Sequence, residues 1–172
     1  MNRSNRRRRG YLLILVLGAG LAIFSAWFYL KGSGIPEKSV LVEASGNIEY
    51  MAATGKHGTN LRFKLRQDDR HFAYYSNGGK VGAVESALCC TRESITILYN
   101  PSTPHSPLFD SAEYYPVYEI RIGGASIRSY MDVRESYQRN ANLAGYMAVA
   151  FSAMAVFAFV GMRPNLGSAC AK

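Results

Sequence analysis

Cysteine is scarce in these 172 residues: Cys89 and Cys90 stand side by side, and Cys170 lies near the far end. Adjacent cysteines rarely bridge each other, because a disulfide holds its α-carbons about 5.5 Å apart. Cys170 falls in the expected cytoplasmic tail, across the membrane from the pair, so no structural disulfide framework is implied. The vicinal pair keeps two readings, small buried thiols or a redox-active pair in an oxidising compartment. Histidine is equally rare, and His57, His71 and His105 fall in three different segments. No His-x-x-x-His or paired Cys-x-x-Cys spacing occurs, so no metal site is expected and each histidine reads as a surface residue. A phosphate loop, a dinucleotide fingerprint and a Gly-x-Ser-x-Gly elbow are missing too. Asp68 and Asp69 are neighbours in a turn and would point apart, which suits turn chemistry better than acid and base work. Catalytic residues and cofactors are expected to be absent, and the chain does not read as an enzyme.

Charge is missing where it is most informative. Residues 11–30, YLLILVLGAGLAIFSAWFYL, and 143–162, LAGYMAVAFSAMAVFAFVGM, contain no ionisable Asp, Glu, Lys or Arg. About 20 residues at roughly 1.5 Å each just span a bilayer core of about 30 Å. Both stretches are expected to be transmembrane helices. A cleaved signal peptide is the alternative for the first, with a conceivable cut after Ala22, but the apolar run continues to Leu30 as an anchor would. Acidic residues are absent from both tails: all twelve lie between the spans, against thirteen basic ones. Arg3 and Arg6 to Arg9 precede the first span, and Arg163 and Lys172 follow the second. By the positive-inside rule such flanks stay in the cytoplasm, so both termini are expected inside a bacterial inner membrane and the middle in the periplasm. The arginine run is then a topology signal rather than a nucleic-acid patch.

Between the spans the pattern is that of short strands. Residues 31–39 form a Gly, Ser and Pro linker. Residues 40–51, interrupted at Gly46, and 59–66, where Leu61, Phe63 and Leu65 alternate with Arg62, Lys64 and Arg66, predict strands with one wet face. Further strands are expected in RHFAYY, in 94–99 with Ile95, Ile97 and Tyr99 inward, in 117–122 with Glu119 and Arg121 outward, and in SIRSY. SNGGK is a turn, and 81–90 reads as a short helix rather than a loop. Six or so antiparallel strands predict a small barrel or sandwich over 40–128. From Ser129 the period becomes helical, with Tyr130, Val133, Tyr137 and Ala141 on one face, and Ser129 with Asp132 resembles a capping box. One continuous helix over 129–162 is expected, ended by Arg-Pro-Asn, with 163–172 a cytoplasmic tail like residues 1–10. The fold class is thus a membrane α+β protein, two transmembrane helices flanking a small antiparallel β-barrel or sandwich.

Two features suggest contacts. Tyrosine is abundant, with twelve in the chain, and its apolar ring and wet hydroxyl suit binding surfaces. Tyr74, Tyr75, Tyr114 and Tyr115, with His105 and Asp110 in the proline-rich stretch that follows Tyr99, are the candidate partner-binding residues; filling a small β-domain is the alternative use of the rings. Gly18, Ala22 and Ala26, and Ala144, Ala148 and Ser152, recur every four residues and are the candidate helix-packing positions, between the spans or in a homodimer.

A basic start, one span, a β-domain whose strand runs into YNPSTP, then YPVYEIRIGG, SIRSY and a second span resembles uncharacterised bacterial inner-membrane proteins carrying a periplasmic domain of unknown function. Tyr99, Pro101 and Pro104 match that pattern, with Asn100 in place of its Asp. The resemblance covers roughly 40–162 and implies topology and fold without an activity. The expected function is non-catalytic: the periplasmic domain binds a protein or envelope partner, as an accessory subunit or an immunity-type protein. The alternative is a redox-active or sensing protein using Cys89 and Cys90. The expected partners are the lipid bilayer and a protein in the membrane or periplasm.

Overall fold

The computed structural model describes residues 3–32, 34–56, 58–107 and 110–162. His57 and Cys170, and the tail with Arg163 and Lys172, lie outside them. The chain divides into two compact units, the described parts of 1–32 with 140–172 and of 33–139.

The first unit is a pair of helices. Helix α1 spans Arg3–Leu30, and the continuous helix α3 spans Tyr130–Met162, whose residues from Asn140 belong to this unit. Both are long and apolar enough to cross a membrane. A Cβ added at Gly18 would lie 3.2 Å from the Phe151 carbonyl oxygen and 3.4 Å from Ala155 Cβ, and one at Gly145 would lie 2.9 Å from the Tyr29 ring. Gly161 faces Tyr11 in the same way, at 3.0 Å. Contacts that descend α3 as they ascend α1 make the pair antiparallel. Leu12, Val16, Ile23, Val149, Val156 and Phe157 remain exposed on the outside.

The second unit is built on one seven-stranded sheet: β1 (Val42–Gly46), β2 (Ile48–Thr54), β3 (Asn60–Leu65), β4 (His71–Tyr74), β5 (Ile95–Tyr99), β6 (Tyr114–Ile122) and β7 (Ala125–Arg128). Helix α2 (Val81–Cys89) lies between β4 and β5 in the chain. The order is β1-β5-β6-β4-β3-β2, with β7 paired to β6. Two expectations are corrected here. The sheet is mixed, because β4 and β6 run parallel, pairing His71 with Tyr114 and Ala73 with Pro116. It is also not closed into a barrel: β1 and β2 occupy its two ends. Asn47 alone separates those end strands, so the sheet has to curl, and the Arg66 N–H donates to the Asn47 carbonyl at 2.7 Å where it does. A parallel pair needs a long connection, which α2, β5 and the proline-rich stretch supply.

Alternation decides the core. Leu61, Phe63 and Leu65 on β3 are buried, as are Ile95, Ile97 and Tyr99 on β5, and they meet Val84 and Leu88 of α2 and Tyr130 and Val133 of α3. Glu119, expected outside, is buried. Its carboxylate receives Lys38 Nζ at 3.1 Å and the Tyr130 N–H at 3.3 Å, so the charge is paired. The start of α3 is capped as the sequence suggests. The Asp132 N–H donates to Ser129 Oγ at 3.2 Å, and the Ser129 N–H donates to Asp132 Oδ2 at 3.1 Å. Arg128, itself buried, donates from Nη2 to the Gly78 carbonyl at 2.8 Å and to Ser136 Oγ at 2.7 Å. It thereby ties the end of β7 to both the turn after β4 and the first turns of α3.

Candidate functional site: a polar cleft under the proline-rich loop

The face of the sheet opposite the core carries Arg62 and Lys64 of β3, Ala73 and His71 of β4, and Tyr114 of β6, brought level by the register Arg62↔Ala73 and His71↔Tyr114. The stretch after β5 folds over this face. Proline cannot donate to a ladder, so β5 stops before Pro101. Asn100 then makes the turn: its Oδ1 accepts the Ser102 N–H at 3.0 Å, and its Nδ2 donates to Thr103 Oγ1 at 2.8 Å. His105 comes back onto the sheet, giving its N–H to the Tyr114 carbonyl at 2.9 Å and receiving the Tyr114 N–H at 3.0 Å.

Asp110 locks the loop down. Its Oδ2 accepts Arg62 Nη1 at 2.9 Å and the Tyr114 hydroxyl at 2.8 Å, and its Oδ1 accepts the Ala112 N–H at 3.0 Å. The Arg62 guanidinium also stacks over the Tyr114 ring, 4.4 Å from its centroid. The Ala112 N–H, then the Tyr114 hydroxyl, hold the Asp110 carboxyl below the usual carboxylate range. Burial, then the hydrogen bond given to Asp110, push the Tyr114 phenol up. At neutral pH the Asp110 carboxylate is therefore charged and the Tyr114 phenol neutral.

Between loop and sheet is a cleft of about 160 Å³. Asn60, Arg62, Tyr75, His105 and Tyr114 give it polar walls, and Ala73 and Pro107 give it apolar ones. Of the residues expected at a binding surface, the fold brings Tyr75, His105 and Tyr114 together here, with Asp110 supporting them through Arg62. Two others go elsewhere. Tyr74 is fully buried on the core face, its hydroxyl donating to the Gly79 carbonyl at 2.7 Å. Tyr115 sits edge-on to Tyr99, ring centroids 5.7 Å apart, on that same face. Arg62 and Asn60 were not among the candidates, although the alternation of β3 put Arg62 on the open face.

Cys89 and Cys90 are both free and exposed, which overturns the buried-thiol reading. The helical period explains it: α2 buries Val84 and Leu88, and the following two positions turn away from the core. In the helix pair Gly18 and Ala22 are buried, Ala26, Ala144 and Ala148 are half-buried, and Ser152 is exposed, its hydroxyl donating to the Ala148 carbonyl at 2.8 Å. Ser152 therefore does not face α1; on α3 the contact runs through Gly145, Phe151, Ala155 and Gly161. Among the described residues no three His, Cys, Asp or Glu side chains are grouped as a metal site would need. No family model, curated protein or solved structure matches the chain.

Proposed function

We propose that this is a bacterial inner-membrane protein anchored by α1 and α3, with both termini in the cytoplasm, and that its β-domain binds a protein or envelope partner in the periplasm without catalysis. The cleft under the proline-rich loop carries this reading. It sets an aromatic wall and several hydrogen-bond donors around a small open volume, held in place by the Arg62–Asp110 ion pair at 2.9 Å. Rigid aromatics beside an arginine are the composition of binding hot spots. The apolar outer surface of the helix pair supports a lipid environment, and the basic residues before the first span support the orientation.

Site-specific photo-crosslinking in intact cells tests the reading. A photoreactive residue at Tyr75 or His105 should give discrete adducts. The same residue at Arg92, exposed and away from the cleft, should not. Adducts no more frequent from the cleft than from Arg92 would sink it.

The exposure of Cys89 and Cys90 favours a second reading, a redox-active or sensing role. A membrane-impermeant maleimide should then label the pair only after reductant. Labelling that is complete without reductant removes this alternative.

A further inference from the structure

Among the described residues, the cleft presents hydrogen-bond donors that are only partly engaged. The Arg62 guanidinium carries five N–H groups, and among the described residues it meets Asp110 Oδ2, at 2.9 Å, and the Tyr114 hydroxyl. Its side chain is 26% exposed, so it remains reachable. Asn60 is anchored by its Oδ1, which accepts the Ser76 N–H at 2.9 Å. Its Nδ2 is left beside Gly55, whose Cβ position it approaches to 3.2 Å, and Gly55 lines the cleft. The Tyr75 phenol and the His105 ring complete the wall. Burial pushes the Tyr75 hydroxyl up, so it keeps its proton and can donate. The Asp110 carboxylate is already engaged, both its oxygens being taken by Arg62, Tyr114 and Ala112.

Charge and size narrow what fits. A planar guanidinium fork pairs best with a group offering two oxygens. Asp110 already offsets the Arg62 charge, so a doubly charged anion would be repelled where a singly charged one is tolerated. At about 160 Å³ the cleft holds more than a single water, which needs only about 10–15 Å³. That admits a carboxylate with a short apolar stub against Ala73 and Pro107, and falls short of the roughly 300–1,000 Å³ of sites for larger ligands.

We propose that the cleft binds a single carboxylate, carried by a small free acid or by the end of a peptide, with Arg62 pairing its oxygens and Asn60 and Tyr75 donating to it. This rests on the reading of the cleft as the partner-binding surface, and names the group that is recognised there.

Calorimetric titration of the full-length protein in detergent tests it, using N-acetylalanine, Gly-Ala-Ala, the carboxamide of each, and inorganic phosphate. Each acid that binds should do so about tenfold or more tightly than its amide, since a charge-assisted hydrogen bond is at stake. Arg62→Gln should weaken binding by about tenfold or more and Tyr75→Phe by about threefold or more. Tyr75→Phe removes one hydroxyl only, so it stands as the test should Arg62→Gln fail to fold. If both acids bind, the recognised group is accepted from a small acid; if only the tripeptide binds, it is a peptide end, and either result supports the proposal. Equal binding of acid and amide, tighter binding of phosphate than of both acids, survival of acid binding in the variants, or no binding of either acid overturns it. Adducts at Tyr75 and His105 would persist in those cases if partner binding itself holds, so the two failures are distinguishable.

Discussion

At the scale of single residues, the β-domain is constrained at places where a side chain has no room to move. A Cβ at Gly78 would lie 2.7–2.9 Å from the ring and hydroxyl of Tyr74, which is fully buried and hydrogen-bonded to Gly79. Gly78→Ala should therefore destabilise the domain by about 1–3 kcal/mol, the usual cost of overpacking. Gly82, which has nothing within 4 Å, is the control. Gly82→Ala should be neutral or stabilise by up to about 1 kcal/mol, because alanine favours helix. Chemical denaturation of the full chain in detergent measures both. Acid sensitivity is also set by single residues. The Arg70 side chain, bonded to Asp68 at 2.7 Å, holds that carboxyl below its ordinary value. A lowered folded pKa means stability that is complete above the unfolded value, about 3.9, and lost as pH falls through the folded one. Asp110 and Asp132 shift in the same direction. Unfolding should thus become easier below about pH 4, and Asp68→Asn should shallow that dependence; an unchanged acid limb in the variant would count against the Asp68–Arg70 pair. The sequence showed Asp68 as a turn residue, but not its arginine partner, because Arg70 reads equally well as the start of a strand.

Among the elements, those with a strong internal period were legible and those defined by a partner were not. Helix α3 and strand β3 follow directly from the spacing of Tyr130, Val133 and Tyr137 and of Leu61, Phe63 and Leu65. Strand β6 begins at Tyr114, earlier than expected, since Pro116 looks like a strand breaker until its carbonyl is seen accepting the Asn100 N–H at 3.1 Å. Its parallel alignment with β4 leaves no mark in either strand's own alternation. The cleft suffers the same limit, because its walls come from β2, β3, β4, β6 and a loop, and only the pairing brings them together. The small residues of the spans were legible as a stripe on α1, while on α3 the contact falls on Gly145 and Ala155 rather than on Ser152. Close helix contact in lipid depends on such positions. Gly18→Leu should push against the Phe151 carbonyl and weaken the pair by about 1–3 kcal/mol, lowering the thermal midpoint followed by Trp27, the one tryptophan in the chain. Gly20→Leu, with nothing within 4 Å, should leave it unchanged; equal effects of the two would show that the Gly18 contact is not what joins the helices.

For the whole molecule, the decisive property is the distribution of charge along the chain. Residues 11–30 of α1 and 143–162 of α3 are uncharged over the length that a bilayer core requires, yet the twelve acidic residues all fall between these two stretches and the arginine run precedes the first. Basic residues near a span resist translocation, whereas acidic ones contribute little to orientation. The asymmetry therefore favours one insertion over its mirror image. A reporter that is active only in the periplasm should work when fused near Gly78 and fail when fused after Lys172. Changing Arg6, Arg7, Arg8 and Arg9 to serine removes most of the bias before the first span, so a measurable fraction of chains should then show the reversed pattern. If orientation stays uniform after that change, the arginine run is not the topology signal. If the native chain itself gives the reversed pattern, the cleft faces the cytoplasm and the proposed partner has to be sought there.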